Sequence, residues 1–284
     1  MVLTSRRPRR RVRKNFLLSL VAIVLSVIVF LVPFAFILLT AIKDQQQASL
    51  LDFSWPHQFR LVQNFIDVVR ARDYMLIIAF INSTILTVAS VTLMVVFGAM
   101  VAFVLQRRRS RWNGLVNALV LAGLIIPPAV VPTIWVLQKL GLFRTMPGLI
   151  LVEVAFGMAF VILLFRAFIG TIPRELDEAA IIDGAGPMRL FFRVILPLLK
   201  PVIITSVVVQ SVFVFNDFTN PLYFLPGDQN ATVQLTLYNF ASQYNTQYNL
   251  LFMNILLITI PPLVMFLFFN RQIVAGMTAG AIKG

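Results

Sequence analysis

Residues 16–40 carry the run that decides the class of fold, FLLSLVAIVLSVIVFLVPFAFILLT, in which no residue is charged. A helix that crosses the hydrocarbon core of a bilayer needs about 20 mostly apolar residues, and this run is longer. It also exceeds the roughly 7–15 apolar residues of a secretory signal peptide, and no small-x-small cleavage site closes it. The run therefore predicts a membrane span rather than a cleaved leader.

The rest of the 284-residue chain has the same apolar character. Hydrophobic residues make up 59% of it and charged residues only 12%, with a mean hydropathy of +0.89. A soluble domain carries roughly 25% charged residues, because its surface must face water. The composition excludes soluble enzymes and predicts a polytopic membrane protein. The absence of cysteine and the single histidine, His57, exclude disulfides, thiolate chemistry and multi-histidine metal sites.

Six apolar stretches are long enough, or nearly so, to cross a membrane. They cover residues 16–40, 75–105, 115–137, 149–169, 202–225 and 250–269. Their continuous hydrophobicity excludes a transmembrane barrel, whose strands alternate over about 10 residues. The predicted fold class is all-α, a polytopic helical bundle of six transmembrane helices. Residues 1–284 are expected to form one transmembrane domain, because no segment outside the stretches is long enough for a core of its own.

The distribution of Lys and Arg predicts the orientation. Counted over the tails and connections, 18 lie on one side of the predicted spans and 6 on the other. Because basic residues collect on the cytoplasmic side, both the tail 1–15 and the tail 270–284 are expected in the cytoplasm. The same distribution accounts for the net charge of +13 without nucleic acid, and it makes the N-terminal arginines topology anchors and lipid-headgroup contacts.

The connection between the fourth and fifth stretches, residues 173–197, reads PRELDEAAIIDGAGPMRLFFRVILP. A proline followed by acidic residues suits the start of a helix, where the helix dipole favours negative charge. Gly184 and Gly186 are expected to supply a left-handed stop, and Pro187 is expected to open a second short helix. Leu196-Pro197 then resets the chain before the next stretch. The loop is therefore predicted to form helix, tight turn and helix.

An alternative is that this loop forms an amphipathic helix lying flat on the bilayer. Four acidic residues count against it, because an anionic leaflet would repel them. They are Glu175, Asp177, Glu178 and Asp183.

The loop resembles the EAA signature of permease subunits of ATP-binding-cassette (ABC) importers. That signature is Glu-Ala-Ala, three residues, Gly, nine residues, Ile, one residue and Leu-Pro. This chain has Glu178-Ala179-Ala180, Gly184 and Leu196-Pro197, with Val194 in the place of the Ile. Residues 274–284 are also similar to the tail of the maltose-type permease subunit. The chain thus resembles a carbohydrate ABC importer permease of the maltose type.

The resemblance implies that this loop is a coupling loop, which docks as a helix into a cytosolic ATPase subunit. Glu178 would make the polar contact, and Gly184 would permit the turn. The residues to which it assigns this role are Glu178, Ala179, Ala180, Asp183, Gly184, Gly186, Pro187, Leu196 and Pro197.

The resemblance also implies partners in the cytoplasmic membrane and on both of its sides. They are a second permease, with a heterodimer expected, two cytosolic ATPase subunits that bind ATP and Mg, and an extracytoplasmic solute-binding protein. None of the five lysines stands in a P-loop, so no cofactor is expected in this chain. It is expected to be a non-catalytic subunit of an ATP-hydrolysing transporter.

Polar residues within the predicted spans mark a candidate translocation path, because polar groups in lipid are costly. They are Asn82, Ser83, Gln210, Asn216, Asp217 and Asn220. An alternative is that Asn216-Asp217 only caps a short span at the outer interface. Pro127-Pro128 predicts a kink in the third stretch.

The outer loop 226–249 is polar and aromatic, and the family resemblance implies that it reaches toward the solute-binding protein. The candidate contacts are Gln229, Tyr238 and Tyr244. Aromatic rings beside amides suit sugar faces, but they also suit a membrane-interface belt or a protein interface.

The predicted function is import of a sugar or oligosaccharide by an ATP-driven ABC importer of which this chain is one permease. Alternative solutes are a glycerol-phosphate-like compound or another small polar molecule. A secondary transporter would need intramembrane carboxylates or cation sites, and only Glu153 and Asp217 are candidates. An integral membrane enzyme would need a metal or acid–base cluster, which the sequence lacks.

Overall fold

The computed structural model describes residues 10–241 and 246–281, with side chains described for residues 18–241 and 246–270. Within those ranges the protein has twelve α-helices and no strand, which confirms the all-α prediction. In chain order the α-helices are α1 (Arg10–Ala41), α2 (Gln45–Ala48), α3 (Leu61–Arg107), α4 (Asn113–Ile125), α5 (Val130–Lys139), α6 (Met146–Ile169), α7 (Glu175–Ile182), α8 (Pro187–Arg189), α9 (Leu196–Leu198), α10 (Lys200–Phe215), α11 (Thr219–Phe224) and α12 (Tyr248–Ala281). A π-helix covers Leu190–Ile195, and two 3-10 helices cover Asp228–Asn230 and Val233–Asn239.

Among the described residues, four helices are long and apolar enough to cross a membrane: α1, α3, α6 and α12. A fifth results if Pro187–Leu198 and α10, which meet at a bend of 75°, are counted as one span. Two of the six predicted stretches are interrupted by breaks, one between α4 and α5 and the other between α10 and α11. The count of six therefore stays a prediction.

The break between α4 and α5 has a local cause in the sequence. Ile126 precedes the Pro127-Pro128 pair and is extended, with φ −78° and ψ 122°. A residue before proline is pushed out of the helical region by the proline ring, so α4 ends there. The proline pair thus separates two helices, a stronger interruption than the kink expected from the sequence.

Helix α3 contains a kink near its beginning. Arg72, Asp73 and Tyr74 all have positive φ, at 46°, 52° and 62°. Such left-handed backbone is uncommon for residues other than glycine. The helix is interrupted at this segment. The regular helix resumes at Met75, where the sequence predicts the second stretch to begin.

The described chain divides into two compact units, of which the larger comprises residues 69–239 and 258–284. Close helix packing builds its core. A Cβ atom on Gly98 of α3 would lie 2.6 Å from Val161 Cγ1 of α6, and one on Gly157 of α6 would lie 2.5 Å from Met94 Sδ. A side chain at either position would have to displace Val161 or Met94, so the two glycines favour this close packing.

The smaller unit comprises residues 1–68 and 240–257. The Lys43 ammonium is fully buried there and donates to both the backbone oxygen and the carboxylate of Asp52, each at 2.8 Å. These bonds, together with the Ser54 hydroxyl, lower the pKa of Asp52 to about 2. The buried Asn64 amide donates to Ala41 O at 2.7 Å, which ties the start of α3 to the end of α1.

Candidate functional sites in the coupling loop and in a membrane cavity

Residues 173–197, the segment predicted to dock into an ATPase and called the coupling loop below, contain α7. Arg174 occupies the N-cap position without a side-chain cap bond, and the first turn holds three of the four acids, Glu175, Asp177 and Glu178. The outward surface is exposed and partly apolar: Ile181 is 58% exposed and Ile182 85%. An apolar surface beside acidic residues is typical of a protein interface rather than of a free loop.

The turn that follows α7 has the geometry of a Schellman motif. Gly184 has a φ of +79°. Its N–H donates to Ile181 O, and the N–H of Ala185 donates to Ala180 O, both at 2.9 Å. Gly184 therefore supplies the left-handed stop, as the sequence predicts. The same prediction is wrong for Gly186, which is extended with φ −70° and ψ 167° because it precedes Pro187.

The second half of the loop is helical from Pro187 to Leu198 and includes the π-helix Leu190–Ile195. Pro187 stands at the first helical position, as predicted. The sequence predicts that the helix breaks at Leu196-Pro197. In the structure this pair lies inside the helix, and the 75° bend falls after Leu198.

The signature residues differ in their exposure. Ala180 and Leu196 are half-buried against the core of the larger unit. The exposed members are Glu178, Ala179, Asp183, Gly184, Gly186, Pro187 and Pro197. The structure thus leaves the Glu178 carboxylate at the surface, available to a partner.

Asp177 is absent from the residues predicted from the signature, yet it anchors the loop. Its Oδ2 lies 2.8 Å from Arg107 Nε at the end of α3, and both side chains are largely buried. The contact is an ion pair rather than an aligned hydrogen bond, because that Nε has no hydrogen-bond partner in spite of the short distance. Arg107 Nη2 also donates to Ile172 O at 2.9 Å. One arginine therefore holds both the start of the loop and its first helix.

Burial raises the pKa of the Asp177 carboxyl, while the charges of Arg107 and Arg174 oppose that rise. Glu178, the next residue, faces a groove of about 450 Å³ beside this pair. The other lining residues are Phe103, Arg107, Arg108, Arg174, Asp177, Ile181, Ala185, Pro187 and Leu190. The adjacent acids Asp177 and Glu178 therefore differ in role: Asp177 anchors the loop to α3, and Glu178 lines an open groove.

A cavity of about 680 Å³ lies among α3, α6, α10 and α11. It is mostly apolar with a few polar groups, which is the usual make-up of a small-molecule site. Its lining residues are Met94, Glu153, Phe156, Gly157, Phe160, Gln210, Val212, Phe213, Val214, Asn216, Asp217 and Asn220. Four of the six residues predicted for the translocation path are therefore brought together here.

Hydrogen bonds hold the polar groups of this cavity in place. Asn220 Nδ2 donates to Glu153 Oε1 at 3.2 Å, and the buried Gln210 amide donates to Gly157 O at 3.4 Å. Asp217 Oδ1 accepts from the N–H groups of Thr219 and Asn220, at the start of α11. Asp217 thus supports the start of α11 and lines the cavity at the same time, while Asn216 is the C-cap residue of α10.

Glu153 was considered from sequence only as an ion-coupling carboxylate, and the structure places it in the cavity wall. It is 6% exposed on α6, in the first half of the helix and between apolar residues. A single acidic residue within an apolar run is costly in lipid, and this cost is the sequence feature that marks Glu153 as a functional candidate. Its neighbours across the cavity come from α11, which is distant in sequence, so the sequence alone could not group them.

The other two predicted path residues are placed elsewhere. Asn82 Nδ2 donates to the backbone oxygens of Gln229 and Ala231, both at 3.1 Å. The Ser83 hydroxyl accepts from the N–H of Val233 at 3.0 Å. Both side chains therefore bind the outer loop, and neither is among the residues that line the cavity.

The outer loop presents two of the three predicted binding-protein contacts at its surface. Gln229 is exposed, and Tyr238 is 55% exposed with its ring centroid 5.3 Å from that of Phe218. Tyr244 lies outside the described residues. The predicted contact with a partner stays a prediction for all three.

Comparison with known proteins gives a consistent result. Residues 94–279 match the model of the family described as binding-protein-dependent transport system inner membrane component. The chain is 34% identical over 209 residues to the melibiose/raffinose/stachyose import permease protein MelC of Bacillus subtilis (strain 168), covering 72% of this chain and 76% of MelC. It is 31% identical to the diacetylchitobiose uptake system permease protein NgcG of Streptomyces coelicolor, covering 95% and 90% of the two chains.

Among solved structures, the fold is similar to a chain in the crystal structure of a bacterial ABC transporter involved in the import of the acidic polysaccharide alginate. The TM-score is 0.80 at 19% identity, covering 94% of this chain and 99% of that one. At this identity the likeness supports the fold alone. The family match and the curated relatives decide the assignment: the chain belongs to the inner-membrane permease components of binding-protein-dependent transport systems, among the permeases of sugar ABC transporters.

Proposed function

We propose that this chain is one permease subunit of an ATP-driven importer that moves a sugar or oligosaccharide across the cytoplasmic membrane. It does no chemistry on the solute, and both of its termini lie in the cytoplasm. ATP and Mg²⁺ bind to two separate ATPase subunits, and this chain pairs with a second permease. The names of the curated relatives, which are permeases for melibiose, raffinose, stachyose and diacetylchitobiose, support a carbohydrate as solute.

The observation that carries the proposal is the arrangement of α7. The exposed carboxylate of Glu178 and the exposed side chains of Ile181 and Ile182 form one polar and apolar surface. This surface is fixed to α3 by the Asp177–Arg107 ion pair. A rigid helix with a presented carboxylate suits docking into an ATPase subunit. Movement of that subunit would pass through the ion pair to the long helix α3.

An external solute-binding protein completes the proposed importer. The outer loop offers Gln229 and Tyr238 at its surface, and Asn82 and Ser83 hold its backbone against α3. A second solved structure of similar fold, with a TM-score of 0.68 at 17% identity, is that of a bacterial alginate ABC transporter in complex with an alginate pentasaccharide-bound periplasmic protein. We expect a protein of that kind to contact this loop.

The proposal is tested by photo-crosslinking in the native membrane. The chain has no cysteine, so Ile182→Cys is the one position in this chain to which a benzophenone maleimide attaches. We expect irradiation to join this position to a P-loop ATPase. The matched control is Trp55→Cys, which is 69% exposed in the segment predicted to lie outside. An assembled chain that yields no ATPase crosslink from Ile182→Cys, or the same products from both positions, would contradict the proposal.

A further inference from the structure

The electrostatic character of the cavity limits which sugars it can accept. Five lining side chains are polar, and two of them are acidic, Glu153 and Asp217. Among the described residues that line the cavity, none is lysine or arginine. A negative group in a cavity without a basic group repels anions and attracts cations, and it does not repel neutral molecules.

The acidic groups are built into the wall rather than scattered on a surface. Glu153 is 6% exposed, and its Oε1 accepts from Asn220 Nδ2 at 3.2 Å. Its carboxyl group also interacts with that of Asp217. Gln210, 5% exposed, lies in the same wall and is held by Gly157 O. Fixed polar groups of this kind set the orientation and the chemistry of a bound molecule.

The apolar part of the wall adds a second requirement. Phe156, Phe160 and Phe213 line the cavity together with the acids and amides. Aromatic rings pack against the C–H faces of a sugar, while carboxyl and amide oxygens accept hydrogen bonds from its hydroxyl groups. An ionised carboxylate only accepts hydrogen bonds, so it suits a hydroxyl or an ammonium group and leaves a carboxylate or phosphate unpaired.

We infer that this cavity is a transit site for neutral or amine-bearing sugars, and that the carboxyl pair of Glu153 and Asp217, acting as one negative group, excludes sugars carrying carboxylate or phosphate groups. The inference rests on the proposed function and adds the substrate class to it. It favours a neutral carbohydrate over the glycerol-phosphate-like solute considered from the sequence. It also separates this chain from an importer of an acidic polysaccharide, in spite of the similar fold.

The test measures the charge preference of the cavity without knowing the solute. Phe213 lines the cavity and is 70% exposed, so Phe213→Cys gives a single reactive thiol in a cysteine-free chain. The assembled importer, in detergent and without nucleotide, is treated with two methanethiosulfonate reagents of similar size. One carries a trimethylammonium group and the other a sulfonate. The 69% exposed Trp55→Cys provides the reference ratio of the two rates.

We expect the ratio of cationic to anionic labelling at Phe213→Cys to exceed the reference by about fivefold, as one nearby charge would produce. Asp217→Asn combined with Glu153→Gln should bring the ratio back to the reference, since both substitutions keep the side-chain shape. An equal or reversed ratio at Phe213→Cys would overturn the inference. So would a thiol that neither reagent reaches, because the cavity would then be closed to water-soluble molecules.

The two proposals fail in different ways. Co-purification of a P-loop ATPase with Phe213→Cys shows that the importer is assembled before any labelling is measured. Loss of the ATPase from the native chain contradicts the proposed function. An assembled importer without charge preference contradicts only the charge selection by Glu153 and Asp217.

Discussion

The coupling loop and the cavity each bury an acidic side chain, and they balance it in different ways. Asp177 in the loop is paired with the Arg107 guanidinium at 2.8 Å. Glu153 in the cavity meets the Asn220 amide and the Asp217 carboxyl, and the described residues of that cavity wall include no basic group. One acid is matched by an opposite charge, and the other is matched only by neutral or acidic neighbours.

This difference separates a structural acid from one that is available to a ligand. A carboxylate paired with a buried guanidinium is costly to disturb, because breaking the pair leaves one charge alone. A carboxyl held by one amide and a neighbouring carboxyl, with no basic partner, keeps acceptor capacity for hydroxyl groups of a solute. The loop repeats this contrast between adjacent residues, since Asp177 is buried and paired while Glu178 is exposed.

The largest stability effect is expected from breaking the structural pair. Arg107→Ala should lower the free energy of unfolding by about 2 kcal/mol, less than for a fully buried pair because the Asp177 side chain is 13% exposed. Thermal unfolding of the detergent-purified chain measures this change. The double variant Arg107→Gln with Asp177→Asn removes both charges and should recover most of the loss. Equal losses in the single and double variants would show that the charge pair is not what anchors the loop.

Much of the helical fold can be read from the sequence, because apolar runs have a direct physical cause. The run 149–169 appears within α6, Met146–Ile169, and the run 16–40 within α1, Arg10–Ala41. The turn at Gly184 was also predictable, since a glycine after a helix with small neighbours favours the left-handed conformation.

The grouping of side chains across helices could not be read in this way. Asn82 and Ser83 were assigned to the path because they are polar within an apolar run, yet they bind the backbone of a loop about 150 residues away in the chain. Arg107 and Asp177 are 70 positions apart, and only packing brings them together. The sequence therefore identified which groups are costly in lipid but not which groups satisfy them.

A smaller change in the free energy of unfolding is expected from the two glycines of the turn, where Gly186→Ala is the control for Gly184→Ala. Gly184→Ala places a Cβ on a residue with φ +79° and should cost about 1 kcal/mol of unfolding free energy. Gly186→Ala should be nearly neutral, because Gly186 has φ −70° and no atom lies within 4 Å of the added Cβ. Thermal unfolding of both variants compares them. A greater loss of unfolding free energy in Gly186→Ala than in Gly184→Ala would contradict the assignment of the left-handed turn to Gly184.

The last effect is a dependence on pH and concerns a third acid, Asp52, in the smaller unit. Its pKa is lowered from 3.8 to about 2 by the Lys43 ammonium and Ser54. A lowered pKa stabilises the folded chain above pH 3.8, and this stabilisation is lost as the pH falls toward 2. Unfolding measured between pH 4.5 and 2 should show this step, and Asp52→Asn should remove it.

A matched control for Asp52 is Asp228→Asn, which breaks an exposed pair with Arg72 at 3.7 Å. This variant should keep the step between pH 4 and 2, because exposed ion pairs contribute little. Persistence of the step in Asp52→Asn would assign it to another acid.

The central claim, that Glu178 couples ATP hydrolysis to transport, is tested most directly by counting sugar molecules moved per ATP. The importer is reconstituted in proteoliposomes with the binding protein that co-purifies, and uptake and hydrolysis are measured in parallel. Glu178→Ala should lower the number moved per ATP by about tenfold, as the loss of one charge-assisted hydrogen bond would predict. Glu175→Ala removes an exposed acid from the same helix and should leave the ratio unchanged. An unchanged ratio in an assembled Glu178→Ala importer would contradict the coupling role.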